Sequence, residues 1–193
     1  MLCGGKSRRM GTPKAWLRAG DEYLLQRVVR IVASVVDPVV VAARLEQDLP
    51  VLPECVPVVH DVIADAGPLA GVAAGFETLT PGCDAAFVIS CDHPLIRAAF
   101  IRKLVDLLAD DAGVIPQLDT QLYPLIAVYR LDTQSLLRDM LGNSEFRVHD
   151  FAHRMGARAI PADVFTDVDP NLDSLRNVND PAAYAAILET LDG

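Results

Sequence analysis

Apolar residues follow two rhythms along this chain. Short runs rich in valine and isoleucine recur at 39–41, 56–59, 85–90, 114–115 and 125–129. Runs apolar at nearly every position are what strands buried on both faces require. Between several of them the spacing is helical. Leu24, Leu25, Val28, Val29, Ile31, Val32 and Val35 share a face with Arg27 and Arg30 opposite. Leu69, Val72, Ala73 and Phe76 form a second such set, and Ile101, Leu104, Val105 and Leu108 a third, with Arg102, Lys103 and Asp106 outward. Buried strands alternating with amphipathic helices predict an α/β fold: a single three-layer domain over 1–193 around a mostly parallel, Rossmann-like sheet. The last quarter reads as smaller elements and a closing helix. Asp180-Pro181 supplies a capping acid and a proline at the first helical position, and 182–191 continues at helical spacing.

In parallel sheets ligands bind beyond the carboxyl ends of the strands, so loops that follow strands hold the candidate chemistry. The first comes at once. Leu2-Cys3-Gly4-Gly5-Lys6-Ser7-Arg8-Arg9-Met10-Gly11 places two glycines after an apolar start, with Pro13 and Lys14 close behind. Glycines admit backbone angles closed to other residues, and successive N–H groups in such a turn form an anion nest. Only three residues precede the glycines, where a strand ordinarily has about five or six. The expectation is therefore a truncated first strand, with about four to eight more apolar residues encoded upstream. A Walker loop ending at Gly5-Lys6-Ser7 would need a glycine before Met1, and the G-x-G-x-x-G spacing of dinucleotide folds is absent.

Three further segments stand out. The apolar run at 85–90 delivers Cys91-Asp92-His93-Pro94. Asp92 is read either as a magnesium ligand or as a cap for a helix beginning near Pro94, and His93 as structural. His60-Asp61 follows another apolar run, and Gly67-Pro68-Leu69-Ala70-Gly71 opens a helix whose glycines at 67, 71 and 75 make a smooth stripe suited to close packing. Arg176-Asn177-Val178-Asn179 precedes the closing helix and by itself reads as a turn.

Composition narrows the function classes. The 193 residues are 51% hydrophobic and 22% charged, which excludes a disordered chain. The apolar runs are too short to span a membrane, and no export signal is evident. A net charge of −9 argues against general nucleic-acid binding. Yet residues 1–30 hold seven of the 17 basic side chains (Lys6, Arg8, Arg9, Lys14, Arg18, Arg27 and Arg30) against two acids, Asp21 and Glu22. This is either a solvated face or the charge a polyphosphate needs. Cys3, Cys55, Cys83 and Cys91 form no C-x-x-C pair, which points to reduced thiols and a cytoplasmic location.

Together these segments resemble the molybdenum cofactor guanylyltransferase family (molybdopterin-guanine dinucleotide biosynthesis protein A) of the nucleotidyltransferase superfamily. Its opening Gly-Gly-x-Ser-x-Arg-Met-Gly is similar to 4–11, its Gly-Pro-Leu-Ala-Gly to 67–71, its Cys-Asp-x-Pro to 91–94 and its Asn-Val-Asn to 177–179, in that order. Arg147, in Glu145-Phe146-Arg147-Val148, resembles a basic segment of the family's later half.

The resemblance implies transfer of GMP from GTP to the phosphate of molybdenum-bearing molybdopterin, with Mg2+ as cofactor and pyrophosphate as by-product. Leu2, Cys3, Gly4, Gly5, Lys14, Asp61, Gly67 and Asp92 would contact the nucleotide, Asp92 would hold the metal, and Arg9 and Lys14 would stabilise the charge moving onto pyrophosphate. Arg147, Asn177 and Asn179 would face the acceptor or a second metal contact. Molybdoenzymes or their chaperones are the macromolecular partners it suggests. One departure stands out: after the second strand the family carries a nucleotide-binding asparagine, whereas 41–44 reads Val-Ala-Ala-Arg. The alternatives are a related enzyme using CTP or a sugar phosphate, and a non-catalytic nucleotide-binding module.

Overall fold

The computed structural model describes residues 1–3, 10–61, 67–80 and 82–192. In chain order the elements are β1 (Leu2–Cys3), β2 (Arg18–Ala19), β3 (Glu22–Tyr23), α1 (Leu24–Ala33), β4 (Val41–Arg44), β5 (Val58–Asp61), α2 (Gly67–Leu79) and β6 (Ala85–Ile89). There follow α3 (Ala98–Asp106), β7 (Gly113–Leu118), β8 (Gln121–Leu122), β9 (Ile126–Arg130), α4 (Gln134–Gly142), α5 (Val148–Arg154), β10 (Arg158–Pro161) and α6 (Pro181–Asp192).

The central strands lie in the order β5-β4-β1-β6-β9-β7-β10, with a parallel bridge from Leu2 to Ser90 joining β1 to the end of β6. Pairing is parallel except where β9 runs against β6 and β7, and where β8 folds back on β7. The mostly parallel sheet expected from the apolar runs is therefore present, with β9 as its reversed member. A short connection through β8 brings the chain back into β9, so no crossover helix intervenes and the direction inverts.

Period-two alternation divides the core. Cys3, Val41, Ile89, Val114, Ile126 and Val128 face α1 and α3, whose Leu25, Val28, Val32, Phe100 and Leu104 are buried there. Their neighbours Leu2, Ala42, Val88, Ile115, Ala127 and Tyr129 face α2, α4 and α5, contributing with Phe76, Met140 and Phe151 to the second layer of packing. A smaller cluster of Leu17, Ala19, Leu24, Leu95, Val178 and Ile187 seats α6 over the β2–β3 hairpin. Tyr184 of that helix donates to the Arg18 carbonyl at 2.6 Å.

The glycine stripe resolves into different roles. A Cβ on Gly71 would come within 2.9 Å of the Leu2 side chain, so this position lets α2 sit close on β1, whereas Gly75 has open space. Gly67 starts the helix with φ +62°, in the left-handed region glycine tolerates. Among the described residues no helix is long and apolar enough to cross a membrane.

Candidate active site

Among the described residues the strand order reverses beside β1. From β1 the chain builds outward through β4 to β5, then α2 carries it back to β6 on the other side of β1. Such a switch point opens a crevice beyond the carboxyl ends of the two strands. Cys3 and Cys91 flank it, with the Cys91 N–H donating to the Leu2 carbonyl at 3.0 Å. The Cys91 thiol is pushed well up by its hydrogen bond with Cys3 and by burial, which keeps it protonated. All four cysteines are free.

Asp92 leaves β6 into this crevice. Its Oδ2 lies 2.7 Å from Lys14 Nζ, which stands on a one-turn 3-10 helix over Lys14–Trp16. Lys14 also donates to Asn179 Oδ1 at 3.2 Å, and Asn179 Nδ2 donates to Asn177 Oδ1 at 3.0 Å. The Asn segment is held against the strand end by Val178 N–H, which donates to the Asp92 carbonyl at 2.9 Å. Behind it, buried Asp169 accepts from the Asp173 and Ser174 amides at 3.2 and 2.8 Å and pairs with Arg97 at 3.0 Å. The capping reading of Asp92 does not hold, because α3 begins at Ala98 with Arg97 at its N-cap.

Burial would raise the Asp92 carboxyl, but His93 and Lys14 beside it, together with the Ser90 side chain, hold it below the usual carboxylate range. His93, read from sequence as structural, is 5% exposed and places Nε2 3.6 Å from Asp92 Oδ1. Burial lowers its imidazole below the ordinary value, with Asp92 and the Arg176 and Ser174 main chain opposing. Asp92 Oδ1 and His93 Nδ1 are both buried without a hydrogen-bond partner among the described residues. With His93 Nε2 at 3.6 Å as its neighbour, Oδ1 keeps room for a closer partner and is suited to a ligand.

Beside the pair lies a cleft of about 360 Å3, lined by Pro68 of α2, Asp92, Tyr123 and Pro124 before β9, Arg147 at the start of α5, and Asn177. Arg147, Asn177 and Asp92 thus share one wall system. Leu2 and Cys3 border the crevice from β1, and Asp61 closes β5 in register with Arg44. Gly4, Gly5 and Arg9 lie outside the described residues. Gln47, to which the sequence drew no attention, bonds both β4 and Cys3.

A crevice at such a switch point, with a carboxylate and a lysine meeting in it, is suited to a phosphate-bearing ligand. The model of the MobA-like NTP transferase domain matches residues 1–156, and the chain belongs to that family. It is 32% identical over 193 residues to "Probable molybdenum cofactor guanylyltransferase" of Mycobacterium tuberculosis, covering 98% of this chain and 92% of that one. Among solved structures, molybdopterin-guanine dinucleotide biosynthesis protein A of Archaeoglobus fulgidus superposes with a TM-score of 0.81 at 20% identity, covering 99% and 96% of the two chains. Rv0371C of Mycobacterium tuberculosis, determined in complex with manganese, superposes with a TM-score of 0.68 at 15% identity over 98% and 96%. The chain is a transferase of nucleotidyl groups.

Proposed function

We propose that this protein transfers GMP from GTP to the phosphate of molybdopterin bearing molybdenum. The carrying observation is the meeting of Lys14, Asp92 and Asn179 at the switch point, next to a cleft that Asp92 shares with Arg147 and Asn177. The acceptor, metal included, is substrate and occupies the cleft with its phosphate toward Arg147. An oxygen of that phosphate bonds to the α-phosphorus of GTP as the bond to the β-bridging oxygen breaks, and the electron pair leaves with pyrophosphate.

No covalent nucleophile on the protein is needed, since such transfer depends on positioning and charge neutralisation. Lys14 exchanges its carboxylate partner for a phosphate oxygen, and Arg9 stabilises charge arriving on pyrophosphate. A lone carboxylate with a free buried oxygen fits magnesium, which takes one or two carboxylates with phosphate oxygens. Asp92 would hold that Mg2+, whose contribution is neutralisation of phosphate charge. Gly67, Leu2, Cys3, Gly4, Gly5 and Asp61 border the nucleotide, and Asn177 and Asn179 align the acceptor side. We place the enzyme in the cytoplasm, with molybdoenzymes or their chaperones receiving the product.

The test is pyrophosphate release with GTP, Mg2+ and metal-charged molybdopterin. Release dependent on all three supports the reading. Release with CTP or a sugar phosphate instead replaces it with the related activity, and binding of GTP without release replaces it with a binding module.

A further inference from the structure

Between β10 and α6 the chain returns to the strand end at Asp92 through two one-turn 3-10 helices, Ala162–Phe165 and Asp173–Leu175. Midway stands Asp169, an acid with no exposed surface. A buried charge of this kind needs partners, and three donors converge on it. They are the Asp173 N–H at 3.2 Å, the Ser174 N–H at 2.8 Å and Arg97 Nε at 3.0 Å. Arg97 also reaches Asp173 with Nη2 at 3.4 Å, and its own N–H donates to Ser174 Oγ at 3.1 Å. Since Arg97 is the N-cap of α3, it ends the loop that begins at Asp92. One carboxylate thus fastens the turn over 173–176 to the far end of the Asp92 loop. The same bonds hold Leu172 at φ 53°, a left-handed conformation that a side-chain-bearing residue adopts at a cost. Past the turn, Asn177 enters the cleft and Asn179 meets Lys14.

We propose that Asp169 is a positioning residue for the acceptor, acting through this turn on Asn177 and Asn179; the inference rests on the nucleotidyl-transfer reading above. Fully buried, Asp169 touches neither ligand. Nor is stability alone a sufficient reason for a carboxylate there, because apolar side chains of similar volume often hold a core as well as a buried ion pair does. What an apolar side chain cannot do is accept from two successive N–H groups. Both belong to buried residues, Asp173 and Ser174, and without an acceptor the turn must open to hydrate them. Opening displaces Asn177, which lies between the turn and a fixed point. That point is Val178, whose side chain is buried and whose N–H donates to the Asp92 carbonyl at 2.9 Å. Asn179 follows, because its Nδ2 donates to Asn177 Oδ1 at 3.0 Å.

The experiment compares the unaltered full chain with Asp169→Asn, Arg97→Lys and Leu137→Ala. Asp169→Asn keeps the shape of the side chain but replaces one acceptor by a donor. Arg97→Lys keeps a positive charge beside Asp169 and removes the fork to Asp173, at a side chain 45% exposed, where the fold tolerates the change. Leu137→Ala weakens the core layer on the other face of the sheet and so controls for lost stability alone. Two readouts are taken: the side-chain NH2 resonances of Asn177 and Asn179 in the labelled protein, and kcat/KM for metal-charged molybdopterin beside Kd for GTP with Mg2+. Asp169→Asn and Arg97→Lys should each shift both asparagine resonances and lower kcat/KM for molybdopterin about tenfold, the scale of a misplaced hydrogen bond, with Kd for GTP within about threefold. Leu137→Ala should lower the melting temperature and move neither readout. Should Asp169→Asn not fold, Arg97→Lys decides alone. Unmoved resonances, an unchanged kcat/KM, equal losses for GTP and molybdopterin, or the same response from Leu137→Ala overturns the positioning role and leaves nucleotidyl transfer standing. Absence of transfer by the unaltered protein overturns the transfer reading and the acceptor role with it.

Discussion

Lys14 and Asp92 are 78 residues apart in the chain and 2.7 Å apart in space. Both side chains are largely buried, at 19% and 14% exposure. A charged pair withdrawn from water in this way recovers its desolvation cost only with further partners, and Asn179 supplies one. The arrangement keeps a cation and an anion together at the sheet's switch point, the pair that a phosphate separates in the proposed reaction.

Truncating either partner should therefore have different consequences. Lys14→Ala is expected to weaken GTP far more than guanosine, because only the triphosphate offers the charges that lysine neutralises. Asp92→Ala is expected to keep its fold while losing about two orders of magnitude or more in Mg2+-dependent turnover. Calorimetric titration of the two ligands and steady-state kinetics check both. Equal weakening of GTP and guanosine, or unchanged turnover without Asp92, contradicts the assigned roles.

Much of this was legible before the fold was known. The apolar run at 85–90, closed by Ser90, led into Asp92 and Pro94, which marked both the strand and the loop that carries Asp92. Gly67 to Gly71 announced a helix start, and Asp180 does cap α6, accepting from the Ala183 amide at 2.9 Å. The direction of β9 was not legible, because a strand buried on both faces reads the same either way. Nor was β10, where Ile160 is the one buried side chain among the four residues. Pairings such as Lys14 with Asp92 depend on strand order, which spacing does not encode. His93 had no sequence partner because what surrounds it is the main chain of Ser174 and Arg176, 80 or so residues on.

The two helix glycines should respond in opposite senses. Gly75→Ala adds a methyl into open space and relieves the entropic cost of glycine, for a gain of about 0.5–1 kcal/mol. Gly71→Ala drives a methyl to 2.9 Å from Leu2 and should cost about 1–3 kcal/mol by overpacking. Urea unfolding of both variants measures the difference; a stabilising Gly71→Ala would show that β1 yields more readily than its packing implies.

Acid sensitivity should trace partly to Glu22. Its carboxyl is held below the ordinary range chiefly by the Arg30 hydrogen bond, with further help from Arg30 and Arg27 charge. Arg27 in turn donates to the Pro94 carbonyl at 2.8 Å, tying the cluster to the loop after Asp92. A carboxyl depressed in the folded state stabilises above its unfolded value, about 4.3, and that contribution is lost as pH falls through the folded value. Arg30 is 61% exposed, so the effect is at most about 1 kcal/mol. The melting temperature of Glu22→Gln should lie below that of the unaltered protein at pH 7 and converge with it toward pH 3. A gap independent of pH would mean that packing, not charge, is what the substitution removes.

The most direct test of nucleotidyl transfer follows the fate of the α-phosphate. GTP labelled at the α-position is incubated with the protein, Mg2+ and metal-charged molybdopterin, and the products are separated. The label should appear on the pterin phosphate as a dinucleotide, with γ-label from a parallel reaction recovered in pyrophosphate and neither transferred by Asp92→Ala. Recovery of α-label only as GTP, or as free GMP without any pterin adduct, would contradict the account.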